Sequence, residues 1–193
     1  DGDRGNIVYW NDKTKKAEIL KAQEVFSLSV LAELAFSHWL NENNKDYKPA
    51  VAVNCPTSMR INEIADCFNA KVFRGEVGEA NVVNTARLAR KQGYTVRILG
   101  EGSNGGTITF PSSVRDPINT IFAFIKLLTI RDEVSKDAEI KRGLFHIWCT
   151  LSGQEEKYKK DFSLCDIIET LPRYTTTGVS ERRAVLKINT EDH

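Results

Sequence analysis

From Ala50 onward the chain alternates short apolar runs with helix-length ones, and this rhythm limits the fold more than any other feature. Ala50-Val51-Ala52-Val53 reads as a buried strand, ended by Asn54-Cys55-Pro56. Ser58 is placed to cap a helix that reaches about Asn69. Lys71 to Glu76 holds a second strand centred on Val72-Phe73, and Ala80 to Lys91 a second helix closed by Gly93. Thr95 to Leu99 is a third strand, Gly100 to Gly106 a glycine-rich loop, and Thr107 to Phe110 a fourth strand. Asp116-Pro117 opens the next helix, with Pro at the first helical position, and its apolar residues run from Ile118 to Leu128. Such alternation with short connections predicts a layered α/β domain. The loop between the third and fourth strands is too short for a crossover helix, so that pair is expected to be antiparallel and the sheet mixed.

The flanks are less regular. Ile7 to Trp10 reads as a short strand, and Asn11 to Lys16 as a polar turn carrying Lys13, Lys15 and Lys16. Residues 21–41 read as a helix with apolar residues at Val25, Leu28, Leu31, Ala32, Ala35 and Trp39. Phe26, Val30, Leu34 and Phe36 widen its apolar surface beyond one stripe, so it is expected to be covered on more than one side. Residues 131–141, with Asp132, Glu133, Lys136, Asp137 and Glu139, read as a solvated connector. Residues 142–151 and Cys165 to Leu171 read as two more helices, the second stopped by Pro172. Ala184 to Ile188 reads as a strand without a partner in view. The chain opens on Asp1 without an initiator Met and runs at once into apolar residues, which suggests an internal stretch of a longer protein.

Bulk properties exclude several classes. A formal net charge of +1 gives no footprint for nucleic acid. Apolar stretches such as Ile121 to Ile130 are broken by Lys126 and Thr129 and fall short of the roughly 20 residues that cross a bilayer, so no membrane partner is expected. Cys55, Cys67, Cys149 and Cys165 form no Cys-x-x-Cys pair and have no His at metal-ligand spacing. They are read as buried, reduced thiols of a cytoplasmic protein. His38 and His146 lie in helical apolar patterns, and Trp10, Trp39 and Trp148 read as packing residues.

Three stretches carry candidate chemistry. Alternate aspartates in Asp1-x-Asp3-Arg4 can converge on a hard divalent cation such as Mg²⁺; the alternative is a polar tail. Gly100-Glu101-Gly102-Ser103-Asn104-Gly105-Gly106 offers a carboxylate, a hydroxyl and an amide that can chelate sugar hydroxyls, and it also suits a plain hairpin turn. It is neither a Walker A loop nor a dinucleotide fingerprint. Gly75-Glu76-Val77-Gly78-Glu79 sits between a strand and a helix, where α/β folds often contact ligands. Glu79 near the helix start equally suits simple capping.

In order and spacing these stretches resemble the α-D-phosphohexomutase superfamily, which includes phosphoglucomutase/phosphomannomutase and phosphoglucosamine mutase. Asp1-Gly2-Asp3-Arg4 is similar to the last four residues of that family's Asp-x-Asp-x-Asp-Arg metal loop. Asn69 to Val82 is similar to its Gly-Ala-x-Val-x-Arg-Thr-x-Val-Gly segment in domain 3, and Gly100 to Gly105 to its Gly-Glu-x-Ser-Gly sugar loop. The resemblance implies a three-layer α/β/α domain with a mixed four-stranded sheet. It divides the chain into the tail of domain 2 (1–20), domain 3 (21–132), a helical connector (133–172) and the start of domain 4 (173–193), the last announced by Leu171-Pro172-Arg173-Tyr174.

The resemblance also implies a reaction. A phosphoserine elsewhere in the enzyme phosphorylates a hexose phosphate, the bisphosphorylated sugar turns over, and the other phosphate returns to the serine. Asp1 and Asp3 would be metal ligands for Mg²⁺, and Arg4 a catalytic residue beside the phosphoryl group. Glu101, Gly102, Ser103, Asn104, Gly78 and Glu79 would contact the sugar. The implied partners are a hexose phosphate and the remaining domains of the same chain. The departures are specific: the first metal-loop aspartate, the phosphoserine loop and the C-terminal phosphate loop are absent, Gly75 replaces a Thr, Asn104 replaces a Gly, and Glu79 stands where some members have His. Two other readings compete: a sugar- or nucleotide-binding module without catalysis, and an assembly fragment that associates through the broad apolar helix at 22–41.

Overall fold

The computed structural model describes residues 2–134 and 140–174. Val8–Asn11 (β1) and Lys16–Ile19 (β2) form an antiparallel ribbon. Ala22–Asn41 (α1) follows, its first turn closed by the Lys21 amide donating to the Glu24 carboxylate at 2.9 Å. Next come Pro49–Asn54 (β3), Arg60–Cys67 (α2), Lys71–Gly75 (β4), Glu79–Lys91 (α3) and Thr95–Glu101 (β5). Gly106–Thr109 (β6) and Pro117–Thr129 (α4) complete the alternation, and Asp116 caps α4 by accepting from the Ile118 amide at 2.9 Å. Glu133–Val134 (β7) pairs with Ile140–Lys141 (β8), followed by Leu144–Leu151 (α5) and Leu164–Thr170 (α6).

The expected mixed sheet is present, in the order β4-β3-β5-β6. The central strand β3 runs parallel to both β4 and β5, and β6 turns back antiparallel to β5. Strand alternation sends Val51, Val53 and Ile98 to one face and Ala50, Ala52, Val96, Leu99 and Ile108 to the other. The first face packs on α1, α2 and α4, with α5 against α1 and α4; the second packs on α3 through Val82, Val83, Ala86 and Ala89. The three-layer α/β/α arrangement follows. The β3–β5 register slips between Ala50 and Val51, so that Val96 and Ile98 oppose them and Arg97 is extra. Arg97 can therefore reach back to Glu33 of α1 at 3.2 Å while its neighbour Ile98 fills the same core.

Helix α1 is the centre of the larger core: Phe26, Leu28, Val30, Leu31 and Ala32 have no exposed surface. Its apolar breadth is covered by this chain's own layers, which corrects the reading of 22–41 as an assembly helix. The described residues of the 131–141 segment are exposed, as expected, apart from half-buried Asp132. Asp132 accepts the Gly143 amide at 2.8 Å and meets His146 Nδ1 at 2.9 Å, fixing the start of α5. Leu144, Phe145, Trp148, Ile167 and Leu171 then join the α1 core, and Trp148 donates to Thr170 Oγ1 at 2.8 Å. These helices extend the α1 core.

Two thiols, Cys149 and Cys165, are buried as expected; Cys67 is half-buried and Cys55 is exposed, and all four are free. Of the tryptophans, Trp148 is buried and Trp10 is exposed. No helix of the described residues is long and apolar enough to cross a membrane. The expected strand at 184–188 lies outside the described residues, as do Lys136, Asp137 and Glu139.

Candidate functional site

Strands β3, β4 and β5 end side by side in Asn54, Gly75 and Glu101. In open α/β sheets the crevice beyond such carboxyl ends is where ligands bind. Glu101 is the last residue of β5 and is only 5% exposed. Its Oε1 accepts from Asn54 Nδ2 and from the Gly78 amide, each at 2.9 Å. Its Oε2 accepts from Asn104 Nδ2 at 3.0 Å and lies 3.7 Å from Arg115 Nη1. Burial alone would push the carboxyl up, but the bonds from Asn104, Gly78 and Asn54, with the Arg115 charge, outweigh it and hold Glu101 below the ordinary carboxyl range. It is ionised at neutral pH and locked in place. A carboxylate accepts in about four directions; three carry hydrogen bonds, leaving one on Oε2.

Two glycines make this possible. Gly78 has φ +120°, a conformation that side chains rarely adopt, and this aims its amide at Glu101. At Gly100 a Cβ would run into the Gly106 carbonyl and stand 2.8 Å from the Phe26 ring, so only glycine lets β6 and α1 approach β5 here.

The remaining loop residues are oriented inward or outward with clear division. The Gly102 amide donates to Thr57 Oγ1 at 2.9 Å, so it serves the protein's own framework. Asn104 bonds Glu101 through Nδ2 and accepts the Gly106 amide on Oδ1 at 2.9 Å, bracing the turn. Ser103 is exposed at the tip. Opposite the turn, Arg74 gathers the loop between β3 and α2, donating to the Thr57 carbonyl at 2.7 Å and to Asn62 Oδ1 at 2.6 Å.

Arg115, in the segment between β6 and α4, collects the acidic side chains of three separate stretches. Its Nε lies 2.8 Å from Glu79 Oε2 and 3.0 Å from Asp3 Oδ2, and its amide donates to Glu79 Oε1 at 3.3 Å. The Nε contacts act through charge, since no acceptor lies in line with that N–H. Glu79, at the first position of α3, therefore faces Arg115 and is more than a helix cap. Arg4 is exposed, with Nε 3.9 Å from Asp3 Oδ1. Asp1 lies outside the described residues. Among the described residues no three His, Cys, Asp or Glu side chains form a cation site. Asp3, the described one of the two predicted metal ligands, faces the Arg115 guanidinium.

Against this geometry stands the family match. The family model for phosphoglucomutase/phosphomannomutase, alpha/beta/alpha domain III, matches residues 28–142, more than half of the chain. The chain belongs to that family. The matched span runs from within α1 past β8 and takes in the whole sheet, the glycine loop and Arg115. No curated protein matches the chain in overall sequence.

The sequence singles out Glu101, Gly78 and Glu79 as candidates but not the residues that organise them. Asn54 was legible only as the residue after a buried strand, and Arg115 only as the residue before the Asp116-Pro117 helix start. A signal existed: Arg115 is the one cation between Arg97 and Lys126, in the segment that follows the glycine loop.

Proposed function

We propose that this chain is the sugar-binding domain of a cytoplasmic phosphohexomutase that interconverts hexose 1-phosphate and hexose 6-phosphate of the glucose or mannose type. The observation that carries the reading is Glu101: ionised, immobilised by Asn54, Gly78 and Asn104, and left with one acceptor direction at the carboxyl ends of the parallel strands. A carboxylate held in advance accepts a sugar hydroxyl without reorganising. With Asp3 and Glu79 close by, the crevice repels phosphate, so it would take the hydroxyl-bearing ring, and other parts of the enzyme would grip the phosphates.

In the proposed cycle a phosphoserine outside this domain passes its phosphoryl group to the hexose phosphate. The bisphosphorylated sugar then turns end for end, and its other phosphoryl group returns to the serine. Glu101 and the exposed Ser103 would hold ring hydroxyls in both orientations, so one pocket serves both half-reactions. Residues 1–20 would close the preceding domain, 21–132 form the sugar domain with 133–172 packed behind it, and 173–193 lead into the next.

The test is a coupled assay of the intact mutase with glucose 1-phosphate and mannose 1-phosphate, comparing wild type with Glu101→Ala. Turnover that collapses while the fold persists supports the reading. A folded, phosphorylated wild type that turns over no hexose phosphate would sink it and favour a non-catalytic binding protein.

A further inference from the structure

We propose that Arg115 is a positioning residue: its guanidinium clasps the Asp3–Arg4 segment to the sugar loop and holds Glu79 and Glu101 as one acceptor face. The proposal rests on the functional reading above and adds to it a residue that the sugar-loop resemblance does not contain.

The geometry is unusual in its reach. Asp3, Glu79 and Glu101 come from a terminal segment, the start of α3 and the end of β5, and one guanidinium at 18% side-chain exposure meets all three at 3.0, 2.8 and 3.7 Å. Without it three carboxylates would converge with only the exposed Arg4, 3.9 Å from Asp3, as a nearby cation, and mutual repulsion would spread them. Arg115 is itself anchored from both sides. Its amide donates to Glu79, and its side-chain carbons press on Gly106, where a Cβ would lie 2.5 Å from Arg115 Cδ. The next residue, Asp116, caps α4, so the clasp is tied to a rigid helix start.

The N-terminal segment has few other holds at this point. Gly5 lies against Pro117 of α4, where a Cβ at Gly5 would be 3.4 Å from the Pro117 Cβ, and the Leu20 amide donates to the Ile7 carbonyl at 2.9 Å. Between Gly2 and Gly5 the ion pair to Arg115 is the contact that fixes direction, because Arg4 itself points to solvent. A planar fork suits this task, since it can face several carboxylates at once, whereas a lysine is a point charge that satisfies one or two.

The experiment uses the intact protein, Arg115→Met and Arg115→Lys, with three readouts. Limited trypsin treatment is followed by mass spectrometry for the new amino terminus at Gly5. The Glu101 carboxyl is titrated by ¹³C NMR. Glucose 1-phosphate and mannose 1-phosphate affinities are measured by calorimetry.

The clasp predicts that Arg115→Met speeds cleavage after Arg4 about tenfold, raises the Glu101 titration midpoint and weakens hexose phosphate binding about tenfold, with Arg115→Lys in between on all three. If Arg115→Met does not fold, the lysine variant alone carries the test, because it keeps the charge and removes the fork. Cleavage after Arg4 and Glu101 titration unchanged from wild type in a folded variant would overturn the clasp. Wild type that binds no hexose phosphate, with cleavage and titration shifted as expected, would uphold the clasp and reject the sugar reading.

Discussion

Two buried glutamates, in two regions of the molecule, show how the same side chain serves different ends. Glu33 sits in the middle of α1 at 1% exposure and faces two cations, Arg97 at 3.2 Å and Lys126 in a still closer contact. Its charge is cancelled on the spot, and its surroundings are the closed core beneath the sheet. Glu101 sits at the open end of β5 at 5% exposure, held mainly by neutral donors from Asn54, Gly78 and Asn104, with its cation at a longer 3.7 Å. Neutral donors fix a carboxylate without neutralising it. The contrast teaches that burial alone does not mark a site. What marks it is a buried charge that stays net negative, keeps an acceptor direction and borders a glycine turn.

The comparison can be broken most decisively by activity. Glu101→Ala is expected to lower kcat/KM of the proposed mutase by about 10²–10³, as for removal of a preorganised polar group, whereas Glu33→Gln is expected to leave kcat/KM within a few fold. Equal losses in both variants, read in the coupled assay, would erase the distinction drawn here. Stability should show the opposite ranking. Removing one partner of a buried ion pair costs about 3–5 kcal/mol, but Arg97 and Lys126 retain 33% and 23% side-chain exposure and can hydrate when freed. Glu33→Ala is therefore expected to lose about 2 kcal/mol in urea unfolding, and Glu101→Gln about 1 kcal/mol.

Acidification sharpens the same contrast. The Glu101 carboxyl is held below its unfolded value, so its contribution to stability is complete above the ordinary carboxyl pKa of about 4.3 and is lost as pH falls through the lower folded value. Asp132, held down by the Gly143 amide, Tyr158 and His146, adds a contribution of the same sign, again against the opposing effect of burial. The stability gap between wild type and Glu101→Gln should close as pH falls through that window, measured by urea unfolding at stepped pH. A gap that widens in acid would contradict the assignment. The smallest effect concerns thiols. Cys55, exposed beyond β3, should react first with a thiol reagent, while Cys149, pushed up to about 12 by burial in the helical layer, should react only after unfolding.

The contrast also explains what could be read in advance. Elements with a buried face announced themselves: β3 is apolar from Pro49 to Val53 and buried on both sides, and the helices on the sheet carried periodic apolar residues. The β1–β2 ribbon was half missed, because Lys16-Ala17-Glu18-Ile19 has little burial to impose an alternating pattern. The β7–β8 pair of two residues each, all exposed, leaves no pattern at all. In the site, Glu101 and Gly78 were legible because a glycine turn and a strand–helix junction are local features. Their partners were not, since Asn54 lies 47 residues from Glu101 and Arg115 lies 36 from Glu79, and only the parallel sheet brings such distances together. Strand β5 also runs two residues further than expected, because Gly100 continues the ladder where glycine suggested a loop.

The most direct measurement is a ¹³C carboxyl NMR titration of the intact protein with glucose 1-phosphate, with Glu101 and Glu33 assigned by substitution. The account predicts that the Glu101 signal moves saturably while Glu33 stays still. A saturable shift at Glu33, or binding that leaves Glu101 unmoved, would contradict it.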